Sequence, residues 1–227
     1  MVNTVGSLET KYWRKTLIPF KASLALSEKQ RELLVGSLLG DGTMRLGKGA
    51  RNTNLKIEQG LKQKDYVFWK YEVLKPFVLT EPRMSYRYDT NKEKYSKSWW
   101  FRTVRHPLLT EVFNLFYVGD GYRSGRKIVP NAIQNDLTPL TLAVWIMDDG
   151  SYSRGVLDIS TYSFRLSEIE LLQRAISNRY NIHFRLHSDR DKGYRMYCNK
   201  TETNALINVI IPYIIPSMMY KIGFKTP

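Results

Sequence analysis

Leu34-Val35-Gly36-Ser37-Leu38-Leu39-Gly40-Asp41-Gly42, or L-V-G-S-L-L-G-D-G, decides the fold, because residues Leu142 to Gly150 repeat its form as L-A-V-W-I-M-D-D-G. Each reads as an amphipathic helix that stops at an Asp-Gly pair, and Asp41 and Asp149 stand 108 residues apart. These are unusual helix ends. Unpaired carbonyls make the last turn of a helix partially negative, so a carboxylate there is disfavoured by roughly 0.3–1 kcal/mol. Asp41 sits at such an end once, and Asp148 with Asp149 twice. A divalent cation reverses that penalty, since helix-end carbonyls and carboxylates are both hard oxygen ligands suited to magnesium or calcium. Gly42 and Gly150 read as left-handed caps after the helices. Gly36 and Gly40 lie on one face of the first helix, and each interior glycine costs about 1 kcal/mol against alanine. Such a face lets a second backbone come close, and the natural partner is the other Asp-Gly helix, which sets the two aspartates side by side.

The chain of 227 residues is 43% hydrophobic, enough for a globular core in one large domain or two small ones. Its 35 Lys and Arg against 21 Asp and Glu leave a net charge of +14, which points to a polyanionic partner. The aromatic residues, 15 Tyr and 5 Trp among them, interleave with the basic ones and suit contact with sugars and bases. A single cysteine, Cys198, excludes an internal disulfide and a Cys-rich zinc site, and His106, His183 and His187 form no metal-binding His motif, so any metal is held through oxygen. The absence of a long apolar run or a signal peptide leads to the expectation of a soluble, intracellular monomer with no membrane partner.

In chain order, residues 1–26 form a basic, aromatic extension. Ser27 and Gln30 then make a capping box at the start of the first helix. A long-looped hairpin follows over Thr43 to Gln59, then a helix over Lys64 to Phe77, paired strands near Arg83 to Tyr88 and Ser98 to Val104, and a helix from Pro107 to Tyr117. Thr138 caps and Pro139 opens the second Asp-Gly helix. Strands near Ser151 to Ser153 and Val156 to Thr161 follow, then a helix over Leu166 to Arg179. A hairpin over Ile182 to Ser188 and Tyr194 to Cys198, and a helix near Thr203 to Tyr213, complete the series. Both halves read αββαββα. The fold class is therefore α+β, with two pseudo-symmetric repeats at 27–135 and 136–227 whose antiparallel sheets make a basic saddle. Candidates for nucleic-acid contact in the first half are Arg45, Lys48, Arg51 and Asn54 around the first hairpin, with Arg83, Ser85, Arg87 and Arg102 on the second strand pair. In the second half they are Tyr152 and Arg154, then His183, Arg185 and His187 on one strand face, with Arg195 on the other strand of that hairpin.

With the two motifs on helices of a duplicated architecture, the chain resembles the LAGLIDADG family, and more closely its monomeric two-motif homing endonucleases, over about residues 27 to 224. The segments L-T-P-L-T-L-A-V-W-I-M-D-D-G, R-K-I-V-P-N at 126–131 and I-I-P-S-M-M-Y-K at 214–221 carry further likeness. The resemblance implies hydrolysis of both strands of DNA at a long asymmetric site, with magnesium bound by Asp41 and Asp149 and the backbone carbonyls of Gly40 and Asp148 as further ligands. It implies two metals roughly 4 Å apart that activate water and stabilise the leaving oxygen. Gln59 matches the polar residue that family enzymes place at the end of the second strand of each repeat, and Tyr162 falls where the second repeat would carry its own. Lys127 and Lys221 match the lysines that steady the transition state. Asp148 and Val144 depart from the small residues expected on the second helix, so an asymmetric but close helix contact is expected. A maturase that binds intron RNA is the alternative, with or without cleavage. A non-enzymatic DNA-binding regulator on the same scaffold leaves the two helix-end carboxylates unexplained.

Overall fold

The computed structural model describes residues 15–90, 93–119, 125–189 and 192–224. A short helix α1, described over 15–22, packs Phe20 against the core, and Lys21 O lies 2.9 Å from His106 Nε2, so this part of the extension straps the first half. Then follow α2 (Glu28–Leu39), β1 (Thr43–Arg45), β2 (Asn54–Gly60), α3 (Lys64–Leu74), β3 (Arg83–Asp89), β4 (Lys94–Arg102) and α4 (Pro107–Phe116). A two-stranded ribbon, β5 (Tyr117–Val118) with β6 (Arg126–Lys127), leads out of this half. The series recurs as α5 (Pro139–Asp149), β7 (Gly150–Ser153), β8 (Val156–Ser160), α6 (Leu166–Tyr180), β9 (Arg185–Ser188), β10 (Tyr194–Tyr197) and α7 (Lys200–Ile210).

Both four-stranded sheets are antiparallel and share one connectivity, β1-β2-β4-β3 and β7-β8-β10-β9. The expected αββαββα repeat is therefore present twice. Alternation along the strands sends Leu55 and Ile57 of β2, and Leu157 and Ile159 of β8, into the core beneath the helices. The caps act as the sequence implies. Ser27 Oγ accepts from Gln30 N at 3.3 Å while Gln30 Oε1 accepts from Ser27 N at 3.0 Å, and Thr138 Oγ1 accepts from Thr141 N at 3.2 Å.

The glycines after the Asp-Gly helices act differently from expectation. Gly150 has φ −74° and ψ 150°, and Gly42 is not among the glycines with positive φ, so neither is a left-handed cap. Both are placed for space as the chain turns directly from helix into strand. A Cβ on Gly42 would lie 2.6 Å from Ser37 O, and one on Gly150 would lie 2.5 Å from Ile146 O. The first helix also ends earlier than Asp41, at Leu39 with Gly40 as its cap, whereas α5 includes Asp149. Cys198 is a buried core residue whose thiol is pushed up to about 12 by burial, which leaves it unreactive.

Candidate active site

The two Asp-Gly helices form the seam of the molecule. A Cβ on Gly36 would meet Thr141 O at 2.6 Å and Val144 Cβ at 2.7 Å, and one on Gly40 would meet Asp148 Cβ at 2.5 Å. Val144 and Asp148 are the pseudo-symmetric counterparts of those glycines. The bulk added on α5 thus fills the holes left on α2, which makes the helix contact close and asymmetric together.

Asp148 is a buried side chain in this seam. Lys70 Nζ, on α3, donates to its Oδ1 at 2.8 Å and its Oδ2 at 3.0 Å, and both side chains are fully buried. Gln59 Nε2 donates to Asp148 Oδ1 and to Asp41 Oδ2, each at 3.0 Å, and Asp41 N lies 3.3 Å from Asp148 Oδ2. Burial raises the proton affinity of Asp148, and the Lys70 ammonium opposes that.

Asp41 is exposed, two residues before β1, and Asp149 is partly exposed as the last residue of α5, directly before β7. Burial, then the negative charges of Asp41 and Asp148, raise the Asp149 carboxyl to about 7. A lysine closes each helix end. Lys127, on β6, donates to Gly40 O at 2.8 Å and Gly42 O at 3.0 Å; Lys221, in the 3-10 helix Pro216–Ile222, donates to Asp148 O at 3.0 Å and Gly150 O at 2.9 Å. The two forks are the same contact made twice, so each negative helix end already holds a cation. Burial lowers the proton affinity of both lysines, and the nearby aspartates offset it.

Among the described residues no cluster of three or more His, Cys, Asp or Glu side chains could hold an ion. Two carboxylates and helix-end carbonyls leave the rest of a shell to water and phosphate, which is how magnesium is usually held. The Gly40 and Asp148 carbonyls accept from lysine here, so they would share their oxygens with any ion.

Gln59 lies where expected, but its counterpart is not Tyr162. Gly42 is followed by Thr43, paired with Lys56, and Gly150 pairs with Ile159, so the two registers align Ile57 with Ile159 and Gln59 with Thr161. Thr161 is buried and donates its hydroxyl to Tyr194 O at 2.6 Å. Tyr162 instead hydrogen-bonds Asp189 and accepts from Arg195 Nη1 at 3.3 Å, as part of the sheet face.

Strand register divides the proposed contact residues. Arg45, Asn54, Arg102, Arg83, Ser85 and Arg87 share the solvent face of the first sheet with Lys56, while Lys48 and Arg51 are exposed in the β1–β2 loop. A cavity of about 330 Å³ on this face is lined by five cations, Arg45, Lys56, Arg87, Arg102 and Arg105. Arg105 carries no periodic signal for this role in the sequence, because it follows the strand and reaches the face by lying over Gly47. In the second sheet Arg185, His187 and Arg195 share the face, and Arg195 ion-pairs with Asp158. Arg154 is exposed in the β7–β8 turn, where it and Gly155 both have positive φ, a backbone that matches the twist of a two-residue hairpin. Tyr152 and His183, expected on this face, lie off it. Tyr152 pairs with Leu157, so it points to the opposite face and covers Gly223. His183 precedes β9, and its ring lies 3.0 Å from Ser177 Oγ while its backbone N–H donates to Glu202 at 3.1 Å, away from the sheet face.

Two equivalent helix ends, each bearing a carboxylate and a lysine between paired basic sheets, define a pseudo-symmetric nuclease architecture. The model of the LAGLIDADG DNA endonuclease family matches residues 31–206, and the chain belongs to that family. It is 32% identical to the DNA endonuclease I-ChuI of Chlamydomonas applanata over 88% of this chain and 97% of that one. It is 31% identical to the cytochrome b mRNA maturase bI2 of Debaryomyces hansenii over 87% of this chain and 75% of that one. The homing endonuclease I-WcaI bound to its DNA recognition sequence superposes with a TM-score of 0.83 at 23% identity, covering 92% of both chains. I-DmoI in complex with DNA and Mn shares the fold more distantly, with a TM-score of 0.51 at 13% identity over 81% of this chain and 97% of that one. No helix among the described residues is long and apolar enough to cross a membrane.

Proposed function

We propose that this homing endonuclease cleaves both strands of a long, asymmetric DNA site by magnesium-dependent hydrolysis, with Asp41 and Asp149 as the two acidic centres. The observation that carries the reading is the doubled fork, in which each Asp-bearing helix end is closed by one lysine, Lys127 or Lys221. Asp41 and Asp149, with the Gly40 and Asp148 carbonyls, are the residues that would hold the ions. Magnesium there supplies Lewis-acid polarisation of the scissile phosphate. Lys127 and Lys221 bring positive charge beside the developing oxyanion. The Gln59 amide spends its NH₂ group on Asp41 and Asp148, which turns Oε1 away from them to accept from a water. Thr161 is too short and too deep to do the same in the other half, so the two strands are cut at unequal rates.

Double-stranded DNA lies along the two sheet faces. Arginines reach base edges and phosphates there. The test is selection of cleaved sites from a randomised DNA library with magnesium. Recovery of one long site by the wild type is expected, together with its loss in Asp41→Asn and Asp149→Asn variants that still bind DNA. A fully active Asp41→Asn protein would overturn the two-centre reading.

A second reading, intron RNA as a further partner, rests on the maturase relative and on one surface. Tyr86 and Tyr95 are 62% and 65% exposed on the side of the β3–β4 hairpin opposite the basic face, beside Tyr88 and with Lys97 over the Tyr86 ring. Exposed rings interleaved with lysine suit unpaired bases. Changing the three tyrosines to serine should weaken RNA binding and leave DNA binding unaltered; equal weakening of both would remove this surface as a separate RNA site.

A further inference from the structure

Lys70 is a charged side chain with no exposure to solvent, on a helix whose other core residues are Tyr66, Val67, Tyr71 and Leu74. Its ammonium is fully used. It donates to both oxygens of Asp148 and lies 4.4 Å from the centre of the Tyr66 ring. The Tyr66 hydroxyl in turn donates to Val144 O at 3.1 Å, which fixes the ring against α5.

A buried ion pair is poor evidence for stability, because apolar residues of similar volume hold two helices together at least as well. An apolar pair here could not accept the Gln59 amide proton or face the Asp41 backbone N–H. Those two contacts, at 3.0 Å and 3.3 Å, are what the charge of Asp148 adds to the fold. Asp148 needs Lys70 to make them, since an unpaired carboxylate buried beside Asp41 is strongly disfavoured.

We propose that Lys70 is a positioning residue for the Asp41 half of the site: paired with Asp148, it locks the Gln59 amide and the backbone entering Asp41 in one arrangement. This rests on the reading of Asp41 and Asp149 as separate cleavage centres. The device is one-sided. The place of Gln59 is taken by Thr161 in the other half, and the hydroxyl of Thr161 is committed to Tyr194 O. The bulk of Asp148 that the pair requires is admitted only because Gly40 faces it, so the lost symmetry of the helix seam and the unequal halves of the site have one cause.

The test is strand-resolved cleavage of a supercoiled plasmid carrying a site selected by the wild type, compared with Lys70→Met/Asp148→Asn. That double variant is close to isosteric and leaves no charge unpaired. The ratio of the two strand rates should shift by about tenfold, the effect of weakening one hydrogen bond to a charged group. Nicked circles should accumulate, and the slowed strand should be the one slowed by Gln59→Ala. Lys70→Met alone should also unfold at lower temperature, and adding Asp148→Asn should restore folding but not the strand ratio. Equal slowing of both strands, or an unchanged ratio in the folded double variant, would overturn the positioning role alone. If the double variant does not fold, the strand ratio is read in Lys70→Gln, which keeps one donor to Asp148 without the charge, and an unchanged ratio there overturns the positioning role. A wild type that cleaves no selected site would sink the cleavage reading, and this inference with it.

Discussion

Asp149 shows how much of this site is set by single groups in their surroundings. Its carboxyl is raised from 3.8 to about 7, chiefly by burial and then by Asp41 and Asp148. The folded protein therefore keeps a proton that the unfolded chain releases. The associated stability is fully present below the ordinary carboxyl range and is lost as pH rises through about 7. Without divalent ions, the melting temperature should fall between about pH 4 and about pH 7, and Asp149→Asn should flatten that fall. Magnesium should raise the melting temperature more at the upper pH, where the free carboxylate pair repels; a shift independent of pH would argue against Asp149 as an ion ligand. At this scale Asp41, Asp149, Lys127, Lys221 and Gln59 were legible in the chain because short flanking segments mark them. Lys70 was not. It stands four residues after Tyr66 and four before Leu74, on the buried stripe of α3, and that spacing was the available signal. A lysine in such a stripe reads as the solvated end of a helix face unless the buried carboxylate opposite is known.

Among the elements, the seam helices carry the strongest constraint. Replacing Gly36 by alanine would gain about 1 kcal/mol of helix propensity. The new Cβ, however, would sit 2.6 Å from Thr141 O, a backbone atom of the facing helix that cannot move without shifting α5. Overpacking of this kind costs about 1–3 kcal/mol, so a net loss is expected in urea denaturation of Gly36→Ala. A stabilised variant would show that the helices can separate. The helix and strand order was readable from periodicity and caps. The role of Gly42 and Gly150 was not, because a cap and a close approach both ask for glycine, and only the backbone angles separate them. The β5–β6 ribbon was also missed as structure. Two residues per strand leave no periodic signal, yet the ribbon holds Lys127 at the site, and Arg126 clamps it to Glu168 of α6 at 2.8 Å and 3.0 Å.

For the molecule as a whole, charge is distributed unevenly. The first sheet gathers Arg45, Lys56, Arg102, Arg83 and Arg87 on one face, where Glu58 ion-pairs with Lys56, whereas the second offers Arg185, His187 and an Arg195 that is partly neutralised by Asp158. DNA affinity should therefore fall steeply with salt, with a slope of log K against log salt of about −5 or steeper. Arg87→Ala with Arg102→Ala should flatten that slope more than Arg185→Ala with Arg195→Ala, and a flat response would argue against binding along the sheets. The sequence by itself determined the repeat, the fold class, the family likeness and the paired aspartates, because these depend on local periodicity and on motifs whose residues are close in the chain. Only the tertiary structure decided which faces Tyr152 and His183 occupy, that Thr161 rather than Tyr162 answers Gln59, and that Asp148 is held by Lys70. Each of these depends on strand register or on a contact between distant segments, where a one-residue offset reverses a side chain's direction and a buried charge is understood only with its partner in view.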